Sequence, residues 1–196
     1  MRSHQGDATD FGRESIRATQ LMIALVAGLS VLTLVSGLAA QQSTSSNGTK
    51  LQRTDRKFVT KAAEGGRMEV ELGQLAQGRA SSDAVKQFGQ RMVEDHGAAN
   101  RELMQLAENK GMKLDDKTPK PDRLMERLSK LQGPDFDREY VKAMVKDHKQ
   151  DVAEFKRMHS GAVDPNLKAW VDKTLPTLED HLKTIEGIQA QMAAKK

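Results

Sequence analysis

Residues 135–161, DFDREYVKAMVKDHKQDVAEFKRMHSG, decide the fold of this chain. Apolar side chains recur in this segment at steps of three and four residues, which is the spacing of one face of an α-helix. These apolar positions are Val141, Met144, Val145, Val152 and Phe155. His148 falls on the same face, so the segment predicts an amphipathic helix that turns one histidine toward a protein core.

Three further long segments and one short segment repeat this periodicity, and residues that typically start or end helices separate them. Alternation at every second residue, the pattern of a strand, is not sustained in the sequence. Asp135 and Asp164 are the expected N-caps of the last two long helices, and Pro176 is expected to kink or split the last one. The predicted helices span residues 54–78, 81–111, 122–132, 135–161 and 165 to nearly the end of the chain.

The connections between these helices indicate the architecture. Two connections are short enough for helical hairpins, whereas the one between the second and third long helices is long and holds Pro119, Pro121 and the short helix. Ferritin-like bundles have their single long crossover at this place. The sequence therefore predicts an all-α, ferritin-like four-helix bundle with a short extra helix in the connection between helices 2 and 3.

Composition excludes several classes of function. The 196 residues include no cysteine, so any bound metal must use nitrogen and oxygen ligands. Charged residues make up 30% of the chain and alternate in sign along the helices, as on solvated helix faces. With one Trp and one Tyr the chain has no stacking platform for single strands, and its net charge of +4 is mild, so we expect no nucleic-acid partner.

The N-terminal region has the order of residues found in export signals. Arg13 and Arg17 precede an uncharged run at residues 21–40, LMIALVAGLSVLTLVSGLAA, which ends in small residues. Residues 1–40 are therefore expected to be a signal peptide or, because the run is about as long as a minimal membrane span, an N-terminal anchor. Residues 41–53 are expected to form a polar linker and residues 54–194 the bundle. We expect export to a bacterial periplasm, outer membrane or cell envelope, with membrane contact through residues 21–40 if they are retained.

Three histidines follow an aspartate, in MVEDH at 92–96, MVKDH at 144–148 and TLEDH at 177–181. Each of these histidines lies on the apolar face of its helix, and on the first helix a glutamate occupies the equivalent place. Neighbouring helical residues point about 100° apart, so each aspartate is expected at the edge of the apolar face, toward a lysine or another helix. The candidate site residues are Glu69, His96, His148 and His181.

A buried layer of these four side chains has two interpretations, because each buried polar group needs a partner. The simpler interpretation is a network of hydrogen bonds that holds no ligand. The alternative is a metal site, since imidazole and carboxylate suit zinc, copper, iron or manganese. The cofactor is therefore left open, with a transition metal ion as the candidate. His159 lies near a helix end and is expected at the surface.

Four runs of the sequence, taken together, resemble the exported bacterial domain-of-unknown-function family 4142. The runs are FVTKAAEGGRMEVELGQLA at 58–76, VKQFGQRMVEDHGAANREL at 85–103, YVKAMVKDHKQDVAEF at 140–155 and WVDKTLPTLEDHL at 170–182. Members of that family are labelled predicted outer membrane proteins and are grouped with ferritin-like bundles. The resemblance covers about residues 55–192 and implies a ferritin-like fold and an envelope location. It implies no activity, because the family is assigned none.

The sequence departs from the pattern of ferritin-like di-iron proteins. Those proteins use a glutamate on two helices and Glu-x-x-His on the other two. Val93 and Leu178 stand three residues before His96 and His181, where the pattern requires glutamates. A di-iron centre is therefore not expected.

The sequence is compatible with three functions. The first is a non-enzymatic bundle of the cell envelope that acts in stress response or binding, because the sequence has no nucleophile elbow, phosphate loop or zinc-protease box. The second is a metal-binding or redox protein that uses Glu69, His96, His148 and His181. The third is a membrane-anchored interaction module, if residues 21–40 stay attached.

Overall fold

The computed structural model describes residues 50–115 and 123–194. The expected signal peptide or anchor at 1–40, most of the expected linker at 41–53, and the loop with Pro119 and Pro121 lie outside the described residues. Leu51 is already buried against the core, so the packed chain starts slightly before the expected bundle boundary at residue 54.

Four long helices and one short helix make up the described chain. The first is α1 (Arg53–Arg79), and the second long helix runs without a break through α2 (Asp83–Arg91), a π-helical turn (Met92–His96) and α3 (Gly97–Asn109). The short helix α4 (Arg123–Leu128) lies in the long connection and precedes α5 (Gly133–Gly161) and α6 (Pro165–Ala194). The described residues contain no strand. These observations confirm the predicted all-α, ferritin-like four-helix bundle.

The helices pack in pairs, α1 along the second long helix and α5 along α6. A buried polar layer, formed by Glu69, His96, His148 and His181, separates the hydrophobic core of the bundle into two halves. Every long helix contributes side chains to both halves. The first half includes Phe58, Leu103, Phe155 and Trp170. The second half includes Phe88, Phe136, Tyr140 and Ile185. None of the helices in the described ranges combines the length and the apolar character needed to cross a membrane.

Two glycines allow α1 and α2 to approach closely beside the polar layer. A Cβ atom on Gly73 would lie 2.5 Å from the carbonyl oxygen of Gly89, and one on Gly89 would lie 2.7 Å from the carbonyl oxygen of Gly73. Real Cβ atoms do not approach backbone this closely, so both positions require glycine. The contact brings the second long helix close to α1 a few residues from Glu69.

The N-cap predictions have different outcomes. Oδ1 of Asp164 accepts hydrogen bonds from the backbone N–H groups of Asn166 (2.9 Å) and Leu167 (3.0 Å), which confirms Asp164 as the N-cap of α6. The prediction for Asp135 is wrong, because α5 begins at Gly133 with Gln132 as its N-cap, and Asp135 lies in the first turn. Pro134 explains the difference, since the fixed φ of proline suits the first helical turn.

Pro176 does not split the last helix. α6 continues through it from Pro165 to Ala194. A proline in a helix removes one backbone hydrogen bond, and the loss is local. Val171 and Leu178 are buried on either side of Pro176, so core packing holds both halves of α6 in one helix.

Buried aspartates fasten two interhelical loops to the bundle. Asp55 of α1 accepts hydrogen bonds from the backbone N–H groups of Val163 (3.3 Å) and Asp164 (2.9 Å), in the loop before α6. Asp137 of α5 accepts from Ser81, through both its N–H (3.2 Å) and its hydroxyl (2.5 Å), and from the Ser82 N–H (2.9 Å). Each carboxylate thereby satisfies two backbone N–H groups of a loop.

Replacing Asp137 by alanine should lower the free energy of unfolding by about 2–4 kcal/mol, because three donors of the Ser81–Ser82 loop lose a charged acceptor. The exposed Asp135, two residues earlier, provides the control, and Asp135→Ala should change stability by less than about 0.5 kcal/mol. Urea unfolding followed by circular dichroism measures both values. Equal effects of the two substitutions would show that Asp137 does not fasten the loop.

Candidate metal centre

The structure brings the four candidate residues together in the polar layer between the two core halves. All four are buried, with exposed fractions between 0% and 7%. The ring centroids of the three histidines lie 5.3–5.8 Å apart. Nδ1 of His96 lies 2.9 Å from Oε2 of Glu69, and Nε2 of His148 lies 3.6 Å from Oε1 of the same carboxyl. Four different helical segments therefore contribute one side chain each to a single cluster.

His96 reaches this cluster from the π-helical turn, which coincides with MVEDH at 92–96. The near-repeat MVKDH at 144–148 is ordinary α-helix within α5. Asp95 of the first pentapeptide accepts from His181, whereas Asp147 of the second lies with Glu69 on the wall of a cavity.

Each histidine has one ring nitrogen engaged by a polar partner. Nδ1–H of His148 donates to the carbonyl oxygen of Met144 at 3.1 Å, and Nε2–H of His181 donates to Oδ2 of Asp95 at 2.8 Å. Nδ1 of His96 pairs with Oε2 of Glu69 at 2.9 Å. Such contacts fix the orientation and tautomer of a ring, as the outer partners of metal-bound histidines do.

The opposite nitrogen of each ring has no hydrogen-bond partner within the described part of the chain. These three atoms, called here the open nitrogens, are Nε2 of His96, Nε2 of His148 and Nδ1 of His181. Oε1 of Glu69 likewise has no hydrogen-bond partner among the described residues. One nitrogen from each histidine lies within 4.8 Å of one from each of the others. Buried polar atoms are normally paired, so four such atoms in one cluster point to a missing ligand.

Burial keeps the histidines uncharged at neutral pH. Desolvation lowers the pKa of His96, His148 and His181 to about 4, despite the opposing effect of nearby carboxylates. Desolvation also raises the pKa of Glu69 to about 8. Neutral imidazoles carry the lone pairs that metal ions bind, so the histidines need no deprotonation at pH 7.

The aspartates lie where the sequence predicted them, at the edge of the apolar faces and directed toward other helices. Asp95 accepts from His181 of α6, and Asp180 pairs with Arg91 of α2 at 2.9 Å. Asp95 was not predicted to be a partner of the site, because the pattern along one helix does not show which side chain of another helix a residue meets. His159 is exposed, as predicted, and lies 2.7 Å from Asp172.

The polar layer contains both paired and unpaired ring nitrogens. A hydrogen-bonded network exists, but it uses only one nitrogen of each ring. The open nitrogens and Oε1 of Glu69 remain as three imidazole donors and one carboxylate donor, a set that suits copper, zinc, iron or manganese. The residues present therefore fit a transition metal ion, and Glu69 and the three histidines could hold it.

A cavity of about 330 Å³ runs between the surface and this cluster. Its exposed rim includes Lys61, Glu64 and Gln150, and its buried end includes Glu69 and His96. On another side of the cluster the ring of Phe88 packs edge-on against His148 and His181, at centroid distances of 5.8 and 6.2 Å. The cluster is therefore apolar on the side of Phe88 and is reached through an acidic cavity on the side of Glu69.

Comparison with known proteins identifies a family and a fold. A family model described as Domain of unknown function (DUF4142) matches residues 40–188, well over half of the chain. A DUF305 fragment from Deinococcus radiodurans superposes with a TM-score of 0.64 and 14% identity, over 72% of this chain and 99% of that chain. A DUF305 protein from Streptomyces coelicolor superposes with a TM-score of 0.63 and 14% identity, over 71% of this chain and 92% of that chain.

A further similar structure is CopM in the Cu(I)-bound form, with a TM-score of 0.62 and 16% identity, over 71% of this chain and 98% of that chain. Its Cu(II)- and Ag-bound forms give TM-scores of 0.58 and 0.59. At these identities the similarity establishes the helical-bundle fold alone. No curated protein sequence matches the chain.

In metal-free protein, the free energy of unfolding should fall as pH rises from about 7 to about 8. The unfolded chain has already ionised the Glu69 carboxyl in this range, whereas the folded chain still holds the proton because the pKa of Glu69 is raised to about 8. The folded state binds more protons, so stability decreases with pH, by up to about 1.4 kcal/mol per pH unit for this group.

Urea unfolding of chelator-treated protein at several pH values tests this dependence. Glu69→Gln should flatten it, while Glu64→Gln, an exposed carboxyl on the same helix, should not. The raised pKa of Asp151, also about 8, leaves a residual slope in both variants. Identical slopes in wild type and Glu69→Gln would show that Glu69 is ionised in the folded protein.

Proposed function

The chain belongs to the DUF4142 family, and we propose that this member binds a divalent transition metal ion, copper(II) before others, in the core of its bundle. Its ligands are Nε2 of His96, Nε2 of His148, Nδ1 of His181 and a carboxylate oxygen of Glu69. The observation that carries the proposal is that the three histidines approach within 4.8 Å through one nitrogen each and that every ring keeps an open nitrogen in the same buried layer. This function develops the second of the three sequence-based hypotheses.

The energetics of the layer support a bound ion. Burying a polar atom without a partner costs about 1–3 kcal/mol, and the cluster contains four such atoms among the described residues. An ion held by them would offset that cost. The ion would also displace the proton of Glu69, so that the ionised carboxylate accepts from Nδ1–H of His96 and balances part of the positive charge.

Two considerations favour copper(II). For a site of nitrogen and oxygen ligands, affinity rises along the first-row divalent metals to Cu²⁺ and is lower for Zn²⁺. CopM, which has a similar fold at 16% identity, has solved structures in Cu(I)-, Cu(II)- and Ag-bound forms. A binding role without catalysis agrees with the first sequence-based hypothesis, of a non-enzymatic bundle.

Binding measurements on full-length protein purified without a histidine tag test the proposal. Wild type should bind one Cu²⁺ per chain, more tightly than Zn²⁺ and far more tightly than Mn²⁺ at this site. At a free Cu²⁺ concentration 100-fold above Kd, the free energy of unfolding should rise by about 2.7 kcal/mol. The double variant His96→Ala/His148→Ala should lose both effects.

His159→Ala is the matched control, because His159 is an exposed histidine of α5, outside the polar layer. It should bind Cu²⁺ as wild type does. If wild type carries no metal and gains no stability from copper, zinc, manganese or iron, the proposed function is wrong. A double variant that binds as well as wild type would place the ion elsewhere.

We propose further that the protein acts in the bacterial cell envelope after export through residues 1–40, whose uncharged run at 21–40 motivates this location. Mass spectrometry of the protein recovered from the envelope should find a mature N-terminus near residue 40. A chain that still begins before residue 21 would contradict cleavage and favour the membrane-anchored interaction module.

A further inference from the structure

We propose that Glu69, Asp147 and Asp151 form a second cation site in the cavity, for a hard dication such as Mn²⁺ or Ca²⁺. It deepens the proposed function, because Glu69 belongs to both sites. The two sites would differ in ligand chemistry, since one has imidazole nitrogens and the other only carboxylate oxygens.

The three carboxylates come together across two helices. Asp147 and Asp151 are four residues apart on α5 and therefore share a helix face, and Glu69 meets them from α1. One carboxylate oxygen from each lies within 4.8 Å of one from each of the others. All three residues line the cavity.

Glu69 supplies an observation that an acidic cluster alone does not. Its side chain is almost fully buried, and Oε2 is taken by His96 at 2.9 Å. In the described ranges Oε1 finds no hydrogen-bond partner, and the nearest ring nitrogen of His148 is 3.6 Å away. A buried carboxylate oxygen in this condition, on the wall of a cavity, indicates that a ligand approaches from the cavity.

The charge of the cavity favours a cation. Besides the three clustered carboxylates, Glu64 and Glu154 line it. Among the described lining residues the one lysine or arginine is Lys61, and its ammonium pairs with Glu154. A dication between three carboxyl groups this close would balance the negative charge that they carry when ionised.

The ligand class follows from the donor atoms and the space. Sites built from carboxylate oxygens and water suit magnesium, calcium and manganese, whereas imidazole favours copper and zinc. Hard dications keep several oxygen ligands, some of them water. The cavity of about 330 Å³ has room for those waters, and its exposed rim gives an ion a route from solvent.

Manganese provides the probe, because free Mn²⁺ gives an electron paramagnetic resonance signal that disappears on binding. Full-length wild type should bind one Mn²⁺ per chain at the carboxylates. Asp151→Asn should weaken that binding by about tenfold or more, because it removes one charged ligand at nearly constant shape. Its Cu²⁺ affinity should fall much less than its Mn²⁺ affinity, because Asp151 touches the histidine site only through the shared Glu69.

Three variants complete the test. Asp147→Asn, a second substitution within the cluster, should repeat the loss of Mn²⁺ binding. Glu154→Gln, one turn from Asp151 and lining the same cavity, should keep Mn²⁺ binding near wild type. His181→Ala should weaken Cu²⁺ binding and leave Mn²⁺ binding intact, because His181 is outside the carboxylate cluster.

The second cation site is overturned if wild type binds no Mn²⁺, or if the two cluster variants bind it as tightly as wild type. If Glu154→Gln and Asp151→Asn lose Mn²⁺ affinity equally, the binding reflects only the negative charge of the cavity, and the site is also refuted. Loss of Mn²⁺ binding in His181→Ala would assign the ion to the histidines. Each of these results leaves the Cu²⁺ measurements on the histidine variants unaffected, so the two proposals can fail separately.

Discussion

The hydrogen bonds to the three core histidines are the constraint on which the site depends. One nitrogen of each ring is held, by Glu69, by the Met144 carbonyl oxygen or by Asp95, so the opposite nitrogen is the one left open. Two of these contacts run between helices. The helices must therefore meet at one level along the bundle axis, and the two apolar core halves on either side fix that level.

This arrangement has an energetic cost that a purely apolar layer would not have. Histidine and glutamate side chains lose their hydration on burial, which is why the histidine pKa values fall to about 4 and the pKa of Glu69 rises to about 8. The cluster is consequently close to neutral at pH 7 before any ion arrives. A cavity with acidic walls opens onto Glu69, the group that would lose its proton when a cation binds.

Much of this follows from the sequence, because helical periodicity sorts side chains by face. It identified the four-helix bundle and put Glu69, His96, His148 and His181 in one layer, since each occupies an apolar-face position of a different helix. Periodicity assumes a regular α-helix, however, and the π-helical turn at 92–96 breaks that assumption. Periodicity placed Asp95 at the edge of the apolar face but did not predict that it accepts a hydrogen bond from His181.

Tertiary contacts and loop conformation account for the other differences between the sequence-based predictions and the structure. Asp137 binds the loop at Ser81, 56 residues away in the sequence. No local sequence pattern predicts this contact. α5 begins before Asp135 because Pro134 suits the first helical turn, and the chain enters that turn through Gly133, whose φ is 61°. The open nitrogens could not be predicted either, because which ring atom stays unpaired depends on ångström-scale placement of partners from other helices.

The most direct test of the central claim is an anomalous difference map from crystals of the protein grown with Cu²⁺ and measured at the copper absorption edge. The account predicts one strong peak between Nε2 of His96, Nε2 of His148 and Nδ1 of His181, within bonding distance of Glu69. A peak only at surface groups such as His159 and Asp172, with the polar layer empty, would contradict it.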